Sequence, residues 1–302
     1  MSTETVAPAP PKVGLLVYLA IAITIVAWAS AFVVIRGTGP HFSAGALALG
    51  RLVIGAILLG VVVLVQRRWV APNRREWLQV IGFGVLWFGG YNVALNIAEH
   101  TLDAGTTAMI VNIGPILIAI GAALFLGERL SKWLAIGGAI AFVGVLLIGF
   151  GSGGASFTNV GVLWALLAAV TYTAGVLLQK PALRRLPNAQ VTWLGCVIGM
   201  VVCLPFTSDL VRDIQVAPPA AIAGVVYLGA IPTSLAFSTW AYALYRMPAG
   251  QLGISTYIVP PLAIVMGLLA FGEVPTLVAA VGGAICLVGV AVSRRKPRLA
   301  SR

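Results

Sequence analysis

Long apolar stretches follow one another along almost the whole chain and are separated by short polar segments. An α-helix needs roughly 20 such residues to cross a hydrocarbon core about 30 Å thick. Only 9% of the 302 residues are charged, whereas about 25% is usual in a soluble domain. The chain is therefore predicted to be an all-α integral membrane protein in a lipid bilayer. Ten membrane-spanning helices, numbered 1 to 10, are predicted at 13–35, 43–65, 76–98, 104–125, 131–149, 159–179, 190–207, 219–244, 250–271 and 275–293.

Cations are distributed unevenly over the segments between these helices. If the N-terminus is cytoplasmic, sixteen Lys and Arg residues fall in cytoplasmic segments and two, Arg36 and Arg212, fall on the opposite side. Cytoplasmic loops of membrane proteins are enriched in Lys and Arg. We therefore expect both termini on the cytoplasmic side of a bacterial inner membrane, with tails at 1–12 and 294–302. Because this bias accounts for the net charge of +11, no nucleic-acid partner is expected.

The chain also resembles itself at an offset of 145 residues, since 84–148 align with 229–293 without a gap. Pro115 meets Pro260 in this alignment, and the Gly-Glu pair at 127–128 meets the pair at 272–273. The composition of a Gly- and Ala-rich chain would not readily place these residues in register. An internal repeat is therefore predicted.

Each copy of the repeat holds five helices, and an odd number means that the second copy enters the membrane from the opposite side. The predicted units are 13–150 and 151–293, the second inverted relative to the first. Inverted repeats are typical of secondary transporters, whose substrate site lies near the membrane midplane between the halves. Walker, H-E-x-x-H, C-x-x-C and G-x-S-x-G motifs are absent from the sequence. Their absence argues against ATP-driven transport, a metal site, a cofactor and an enzyme.

Prolines recur at the same depth of helices 4 and 9, as Pro115 and as Pro260 with Pro261. Proline removes an intrahelical hydrogen bond and clashes with the carbonyl four residues earlier, so both helices are predicted to kink. The carbonyls released there must bind other helices or face a water-filled cavity. The prolines are either symmetry-related hinges beside a central site or packed kinks, and their pairing favours hinges.

Polar and aromatic side chains form stripes at membrane depth. On helix 3, Trp87 and Tyr91 lie four residues apart, as do Asn92 and Asn96, so each pair shares a face. Such stripes suit a cavity that hydrogen-bonds a small polar solute and stacks on its apolar part. For each aromatic residue alone, packing or interfacial anchoring is the alternative. Further candidates on helices 1, 4, 6, 8 and 9 are Trp28, Ser30, Asn112, Trp164, Tyr172, Thr173, Ser238, Trp240, Thr256 and Tyr257.

Arg51 is the one ionisable residue placed clearly inside the membrane, about two turns into helix 2. Such residues are costly and usually functional. Arg51 either contacts a carboxylate or another anion, or extends its guanidinium to the outer interface. No Asp or Glu is predicted at midplane depth, which argues against a central carboxylate that relays protons.

Small residues recur on helices 5 and 10. Their spacing allows close helix approach, either within the monomer or across the seam of a homodimer. The residues are Gly137, Ala141 and Gly144 on helix 5, and Gly282, Cys286 and Gly289 on helix 10.

The Gly-Glu pairs precede these two helices. Gly127 and Gly272 are predicted to adopt the left-handed conformation that ends a helix. Glu128 and Glu273 are then expected to lie at the N-terminal dipole of the next helix. The pairs are predicted to be turns with a structural role.

Ten helices in two inverted halves, "WASAF" in helix 1, "GALALGRL" in helix 2, and "GER" and "GEV" ahead of helices 5 and 10 together resemble the drug/metabolite transporter superfamily. Within it, residues 13–293 resemble an EamA-type transporter, in particular bacterial exporters of amino acids, including aromatic ones, and of related metabolites. The resemblance implies a central cavity lined by helices 1, 3, 4, 6, 8 and 9. It also implies alternating access, in which helices 3, 4, 8 and 9 rearrange.

The expected function is export of amino acids or related small metabolites across the cytoplasmic membrane. Export of cationic drugs and transport of sugar phosphates or nucleotide sugars are the alternatives, and a channel is a further one. Phosphate carriers should need several cations in the cavity. Because Arg51 is the only cation predicted in the cavity, transport of sugar phosphates or nucleotide sugars is less favoured than export of amino acids.

Overall fold

The computed structural model describes residues 14–101, 110–151, 159–272 and 274–295, apart from the side chains of 99–101 and 159. All regular elements in these ranges are helices, which confirms the all-α class. Eight of them are long and apolar enough to span a membrane. Two shorter apolar helices, Gly114–Phe125 and Leu277–Ser293, lie where helices 4 and 10 were predicted.

The helices keep the numbers of the predicted spans, and four of them are divided into segments. In chain order they are α1 Leu15–Thr38; α2 Ala44–Gln66; α3 Arg74–Phe83, Gly84–Tyr91 and Asn92–Thr101; α4 Gly114–Phe125; α5 Lys132–Gly151; α6 Asn159–Ala182; α7 Asn188–Cys203, Leu204–Phe206 and Thr207–Val216; α8 Pro219–Leu228, Gly229–Leu235 and Ala236–Arg246; α9 Ala249–Ser255, Thr256–Ile258 and Val259–Phe271; and α10 Leu277–Ser293.

Side-chain caps begin several of these helices. Ser43 accepts the Ala46 backbone N–H at 3.3 Å at the start of α2, and Asn73 forms a capping box with Glu76 on α3. Such caps satisfy N–H groups that have no partner within the helix. Helix 7 was predicted to end at 207, but α7 continues to Val216 after a 3-10 turn at Leu204–Phe206. Its last part, Thr207–Val216, is amphipathic rather than apolar, so it lacks the apolar run on which the prediction depended.

The internal repeat is visible in the backbone itself. The second segments of α3 and α8 are both π-helical and begin at Gly84 and Gly229, which are 145 residues apart. The helical segments that contain the paired prolines begin at Gly114 and Val259, also 145 apart. Equivalent residues of the two copies therefore interrupt regular α-helix at equivalent places.

Regular α-helix is interrupted just before each of the paired prolines. Residues 112–113 form a turn ahead of α4, and Thr256–Ile258 form a 3-10 turn within α9; we call these two interruptions breaks. Pro115 and Pro260 each occupy the second position of the helical segment that follows. The missing proline N–H costs nothing in a first turn, because that group has no partner within the helix. Bending of the two helices at these places stays a prediction.

The small faces of α5 and α10 pack against each other within one chain, and the two helices run antiparallel. A Cβ added at Gly144 would lie 2.6 Å from the backbone N of Cys286, and one at Gly151 would lie 2.7 Å from that of Ala279. The Cys286 thiol donates to the Ala141 carbonyl at 3.3 Å. The sequence left open whether these faces pack within the monomer or form the seam of a homodimer. In the structure they pack against each other within the monomer.

The Gly-Glu prediction is half confirmed. Gly127 and Gly272 have φ values of +68° and +69°, the left-handed conformation expected. Glu128, however, does not lie at the N-terminus of α5, whose Leu134 N–H is capped by Ser131 at 3.1 Å. The Glu128 carboxylate does not cap α5 and binds the start of α9 instead. Glu273 lies outside the described residues.

Candidate functional site

Aromatic rings from four helices meet in the middle of the bundle. The Trp28 and Trp240 ring centroids are 5.1 Å apart, those of Trp87 and Tyr172 5.0 Å, and those of Trp87 and Phe237 4.9 Å. These five residues form what we call the aromatic layer. Four of them were cavity candidates on separate predicted helices, and the fold brings them together. Phe237 was missed, although it precedes Trp240 by three residues and so shares its helix face.

The aromatic layer is closed in this conformation. Trp87 and Trp240 are only 2% and 1% exposed, and most of the ring pairs are edge-on or tilted, the geometry that aromatic pairs prefer. Trp240 also carries an indole N–H that has no hydrogen-bond partner among the described residues. Trp87 and Trp240 therefore act as packing residues here, and one of them leaves a buried donor unused.

The end of the bundle that holds Arg67, Lys180, Arg185, Arg246 and Arg294 is called the basic end. At this end, buried apolar side chains come from α8, from α9 and from the residues that directly follow α6 and α8. These are Leu183, Leu244, Met247 and Leu252, each no more than 4% exposed. The described part of the bundle is thus tightly packed at its basic end.

Glu128 joins three elements at the basic end. Its carboxylate accepts the Ala249 and Gly250 N–H groups at 2.8 and 3.2 Å and pairs with the Lys180 ammonium at 2.7 Å. The expectation that it faces the dipole of the next helix is wrong, because it caps α9. It therefore ties the first half of the chain to the start of a helix in the second half.

A second ion pair at the basic end links α3 to the α6–α7 connection. The Arg185 guanidinium donates from Nε to Glu76 Oε1 at 2.6 Å and from Nη2 to Glu76 Oε2. This carboxylate partner raises the pKa of Arg185 above its usual value. Glu76 also closes the capping box of α3, so the pair fixes the entry of that helix.

Three residues of α1 form hydrogen bonds with α8 around the aromatic layer. The Trp28 indole N–H donates to the Pro232 carbonyl at 3.2 Å, Ser30 and Tyr227 hydroxyls lie 2.8 Å apart, and Thr24 binds Thr239 at 2.7 Å. Trp28 and Ser30 were predicted candidates, whereas Tyr227 and Thr24 were not. A single hydroxyl in an apolar run of sequence does not indicate which residue it will bind. Its hydrogen-bond partner is known only once the packing of the helices is known.

The two broken helices meet at their breaks. The Tyr257 hydroxyl of α9 donates to the Asn112 carbonyl just before α4, at 2.8 Å. Tyr257 is fully buried, and Thr256 beside it donates to the Gly253 carbonyl at 2.7 Å. The carbonyl bound here belongs to Asn112, whereas the one that lies four residues before Pro115 belongs to Val111. Pro261 packs near Gly283 of α10.

Arg51 is held inside the bundle rather than extended to an interface. Its Nε–H donates to the Thr233 hydroxyl oxygen of α8 at 3.1 Å, and its Nη1 donates to Asn92 Oδ1 of α3 at 3.5 Å. Asn96, one turn further along α3, donates to the Ala44 carbonyl at 2.7 Å. Of the two alternatives for Arg51, these contacts favour a buried role over snorkelling.

Some candidates lie apart from the aromatic layer. Trp164 sits on a surface groove with the exposed side chains Leu163 and Leu167, so a place against lipid fits it better than a central one. Ser238 donates to the carbonyl of Ser234 one turn earlier, at 2.7 Å. Tyr91 pairs with Tyr172 at 5.8 Å between ring centroids and is partly buried at the rim of the layer.

Comparison with known proteins places the repeat in a family. The EamA-like transporter family matches twice, over residues 15–150 and 159–295. One relative is the "Probable terminal-alkyne amino-acid exporter" of Streptantibioticus cattleyicolor, 34% identical over 92% of this chain and 93% of that protein. The transporter YdfC of Bacillus subtilis is 35% identical over 87% and 86%. The "Probable biotin transporter" of Pseudomonas aeruginosa is 27% identical over 79% and 85%.

A solved crystal structure shares the fold. It matches with a TM-score of 0.77 over 92% of this chain and 97% of its own chain, at 22% sequence identity. Likeness at this identity concerns the fold alone.

Proposed function

The chain belongs to the EamA-like transporter family, and from that premise we propose that it exports amino acids, aromatic ones included, or related small metabolites. It is a multi-pass membrane transporter and not an enzyme. The proposed route is a central cavity between the two halves, which opens to each side of the membrane in turn. A relative named as an amino-acid exporter supports this substrate class.

The observation that carries the proposal is the contact between the two broken helices. The Tyr257 hydroxyl donates to the Asn112 carbonyl, so that the break ahead of α4 contacts the break within α9. Discontinuous helices near the midplane, in two related halves, are how many secondary transporters build a substrate site that can be exposed alternately. Pro115, Pro260 and Pro261 are proposed as the hinges that let the helical segments on either side of the breaks move independently.

The aromatic layer is proposed as the floor of the substrate cavity. Trp28, Trp87, Tyr172 and Trp240 offer ring faces and edges on which an aromatic or apolar side chain can stack. Tyr91, Asn112, Ser30, Thr256 and Tyr257 surround it with groups that can hydrogen-bond the polar part of a solute. Substrate contact by each of these residues is part of the proposal.

Two buried polar side chains support a second conformation. Trp240 Nε1 and both amide atoms of Gln179 are buried and have no hydrogen-bond partner within the described chain. Leaving such a group unsatisfied costs about 1–3 kcal/mol. A state that opens the basic end would let water or substrate reach these groups and recover that free energy. Alternating access would thus give these groups partners that the closed state withholds.

The proposed orientation follows the charge bias, with both termini in the cytoplasm of a bacterial cell. The basic end would then face the cytoplasm and be closed in this structure. Because both halves of the proposed cavity come from one chain, the monomer is the proposed transport unit.

Export can be tested in proteoliposomes loaded with labelled phenylalanine, tyrosine, leucine and lysine, with protein-free liposomes as the control. We expect saturable efflux that is accelerated by unlabelled substrate on the other side. Efflux without such counterflow would indicate a channel. Movement of cationic dyes without any amino acid would favour the drug-export alternative and overturn the proposal.

A further inference from the structure

We propose that Arg51 binds the carboxylate of the transported amino acid, in a site preformed by Thr233 and Asn92 between α2, α3 and α8. This inference rests on the proposed function and narrows it, because it makes a carboxylate the group that a substrate must carry. The ligand chemistry is a monoanionic carboxylate on a small molecule with an apolar or aromatic side chain.

The guanidinium has donors to spare. Arginine carries five N–H groups, of which Nε–H donates to Thr233 Oγ1 at 3.1 Å and one at Nη1 donates to Asn92 Oδ1 at 3.5 Å. The remaining three have no partner among the described residues. These three lie on the fork formed by Nη1 and Nη2, which is the part that binds a carboxylate through two parallel hydrogen bonds.

The positive charge has no counter-charge within the described parts of the chain. Glu76 pairs with Arg185, Glu128 with Lys180, and Asp209 and Asp213 with the surface residue Arg212. No described carboxylate lies within 4.0 Å of Arg51. An unpaired cation inside a membrane protein is costly, and such residues normally face a partner or a water-filled cavity. The carboxylate of a bound amino acid would supply the partner that the fold withholds.

Thr233 and Asn92 are positioned to present acceptors to Arg51. The Thr233 hydroxyl donates its own proton to the Leu228 carbonyl at 2.8 Å, and the Asn92 amide donates to the Phe88 carbonyl at 2.8 Å. With their donors occupied, both side chains turn an oxygen toward the guanidinium. They act as positioning residues, and the groups that fix them belong to or adjoin the π-helical segments of α8 and α3.

The distance from Arg51 to the aromatic layer suits one amino acid. Thr233 lies four residues before Phe237, and Asn92 lies five residues after Trp87. One turn of helix rises about 5.4 Å, so the layer begins about one turn from the guanidinium. A carboxylate at Arg51 would leave a side chain of that length against the rings. The two features together describe a ligand that is anionic at one end and aromatic at the other.

The second half of the chain has no cation at the equivalent position. The residue 145 positions after Arg51 is Cys196, whose thiol donates to the Leu52 carbonyl at 3.5 Å. A position that holds a cation in the first half thus holds a neutral thiol in the second. One half of the cavity then recognises the carboxylate, which gives a bound amino acid a single orientation.

Binding of phenylalanine and of phenethylamine, which lacks the carboxylate, tests the proposal directly. Purified protein is titrated with each, and intrinsic tryptophan fluorescence is followed, because the aromatic layer contains three of the Trp residues. Arg51→Gln should weaken phenylalanine binding at least tenfold and leave phenethylamine binding within twofold. Arg51→Lys should recover part of the loss. Arg75→Gln, at an exposed arginine, is the matched control and should change neither.

Thr233→Val keeps the cation and nearly the same side-chain volume but removes the acceptor that orients it. We expect its affinity for phenylalanine to fall three- to tenfold and its affinity for phenethylamine to stay unchanged. If Arg51→Gln does not fold, this variant replaces it as the test. The proposal would be overturned if the variants lost affinity for both probes equally, or if Arg51→Gln and Thr233→Val bound phenylalanine as tightly as the wild type does. It would also be overturned if the wild type did not bind phenylalanine. Chloride that displaces phenylalanine at equal concentration would overturn it too, since the site would then hold an inorganic anion.

Transport separates this inference from the proposed function. If the wild type binds phenylalanine through Arg51 but never exports it, the carboxylate site stands and export of amino acids fails. If the wild type exports phenylalanine and Arg51→Gln exports it with an unchanged KM, export stands and the carboxylate site fails.

Discussion

The Tyr257 hydroxyl donates a 2.8 Å hydrogen bond to the Asn112 carbonyl, and the two residues are 145 positions apart in a chain that repeats at this offset. Equivalent positions of the two copies thus touch each other, as Ala141 and Cys286 also do. Contacts between equivalent residues lie on the axis that relates the two copies. The breaks of α4 and α9 therefore meet on this axis, beside the prolines that we propose as hinges.

Removing the Tyr257 hydroxyl should destabilise the structure described here. In Tyr257→Phe the partly buried Asn112 carbonyl loses the hydrogen bond from this hydroxyl, which costs on the order of 1–3 kcal/mol. We expect a lower melting temperature in detergent, measured by intrinsic fluorescence. Tyr245→Phe is the control, because Tyr245 is 50% exposed. A melting temperature of Tyr257→Phe equal to that of the control would show that the contact contributes little.

The paired prolines should control the transport rate more than stability. Pro115→Ala and Pro260→Ala restore a backbone N–H, so that helix can extend through each break. We expect efflux from proteoliposomes to slow several-fold, with a melting temperature close to that of the wild type. Pro219→Ala, at the first turn of α8, is the matched control. Transport at the wild-type rate in both hinge variants would rule out a hinge role.

Glu128 should hold the basic end closed. Glu128→Gln removes the charge that pairs with Lys180 and caps α9, and each hydrogen bond to a charged group is worth about 1.5–3 kcal/mol. We expect a thiol reagent to label Leu252→Cys faster in this background, because the native Cys residues and Leu252 are buried. Asp209→Asn, at an exposed ion pair, should leave the labelling rate unchanged. An unchanged rate in Glu128→Gln would contradict the closing role.

Close contact between α5 and α10 should make Gly144 intolerant of any side chain. A Cβ there would meet the Cys286 backbone N at 2.6 Å, and backbone cannot yield as a side-chain tip can. Gly144→Ala should lower thermal stability by about 1–3 kcal/mol, the usual effect of overpacking. Gly267→Ala is the matched control, since its Cβ would meet nothing within 4 Å. Equal melting temperatures for the two variants would refute the close packing.

Much of the fold could be predicted because helices in a membrane are specified locally. Apolar length gave the spans, and most described helix ends lie within a few residues of the predicted ones. The alignment of the chain with itself at an offset of 145 residues predicted the repeat. The glycine at position 127 predicted the left-handed conformation that the structure shows there. The missed part of α7, Thr207–Val216, has no apolar run, so the same signal could not find it.

Most residues of the candidate site were predicted from the sequence, but the contacts between them were not. Trp28, Trp87, Tyr172 and Trp240 were recognised as residues at membrane depth. That they meet in one layer, with Phe237 among them, depends on how α1, α3, α6 and α8 cross. Trp164 has the same sequence signature and lies apart from them.

The sequence by itself determined most of the helices, the repeat and the places of the paired prolines, because periodicity, apolar length and proline act within a few residues of the backbone. Only the tertiary structure decided that Arg51 meets Thr233, that Glu128 caps α9, and that the small faces of α5 and α10 bind each other. These partners are more than 100 residues apart. Which side chains meet over such a distance depends on the tilt and crossing of every helix at once, since all of them must pack together.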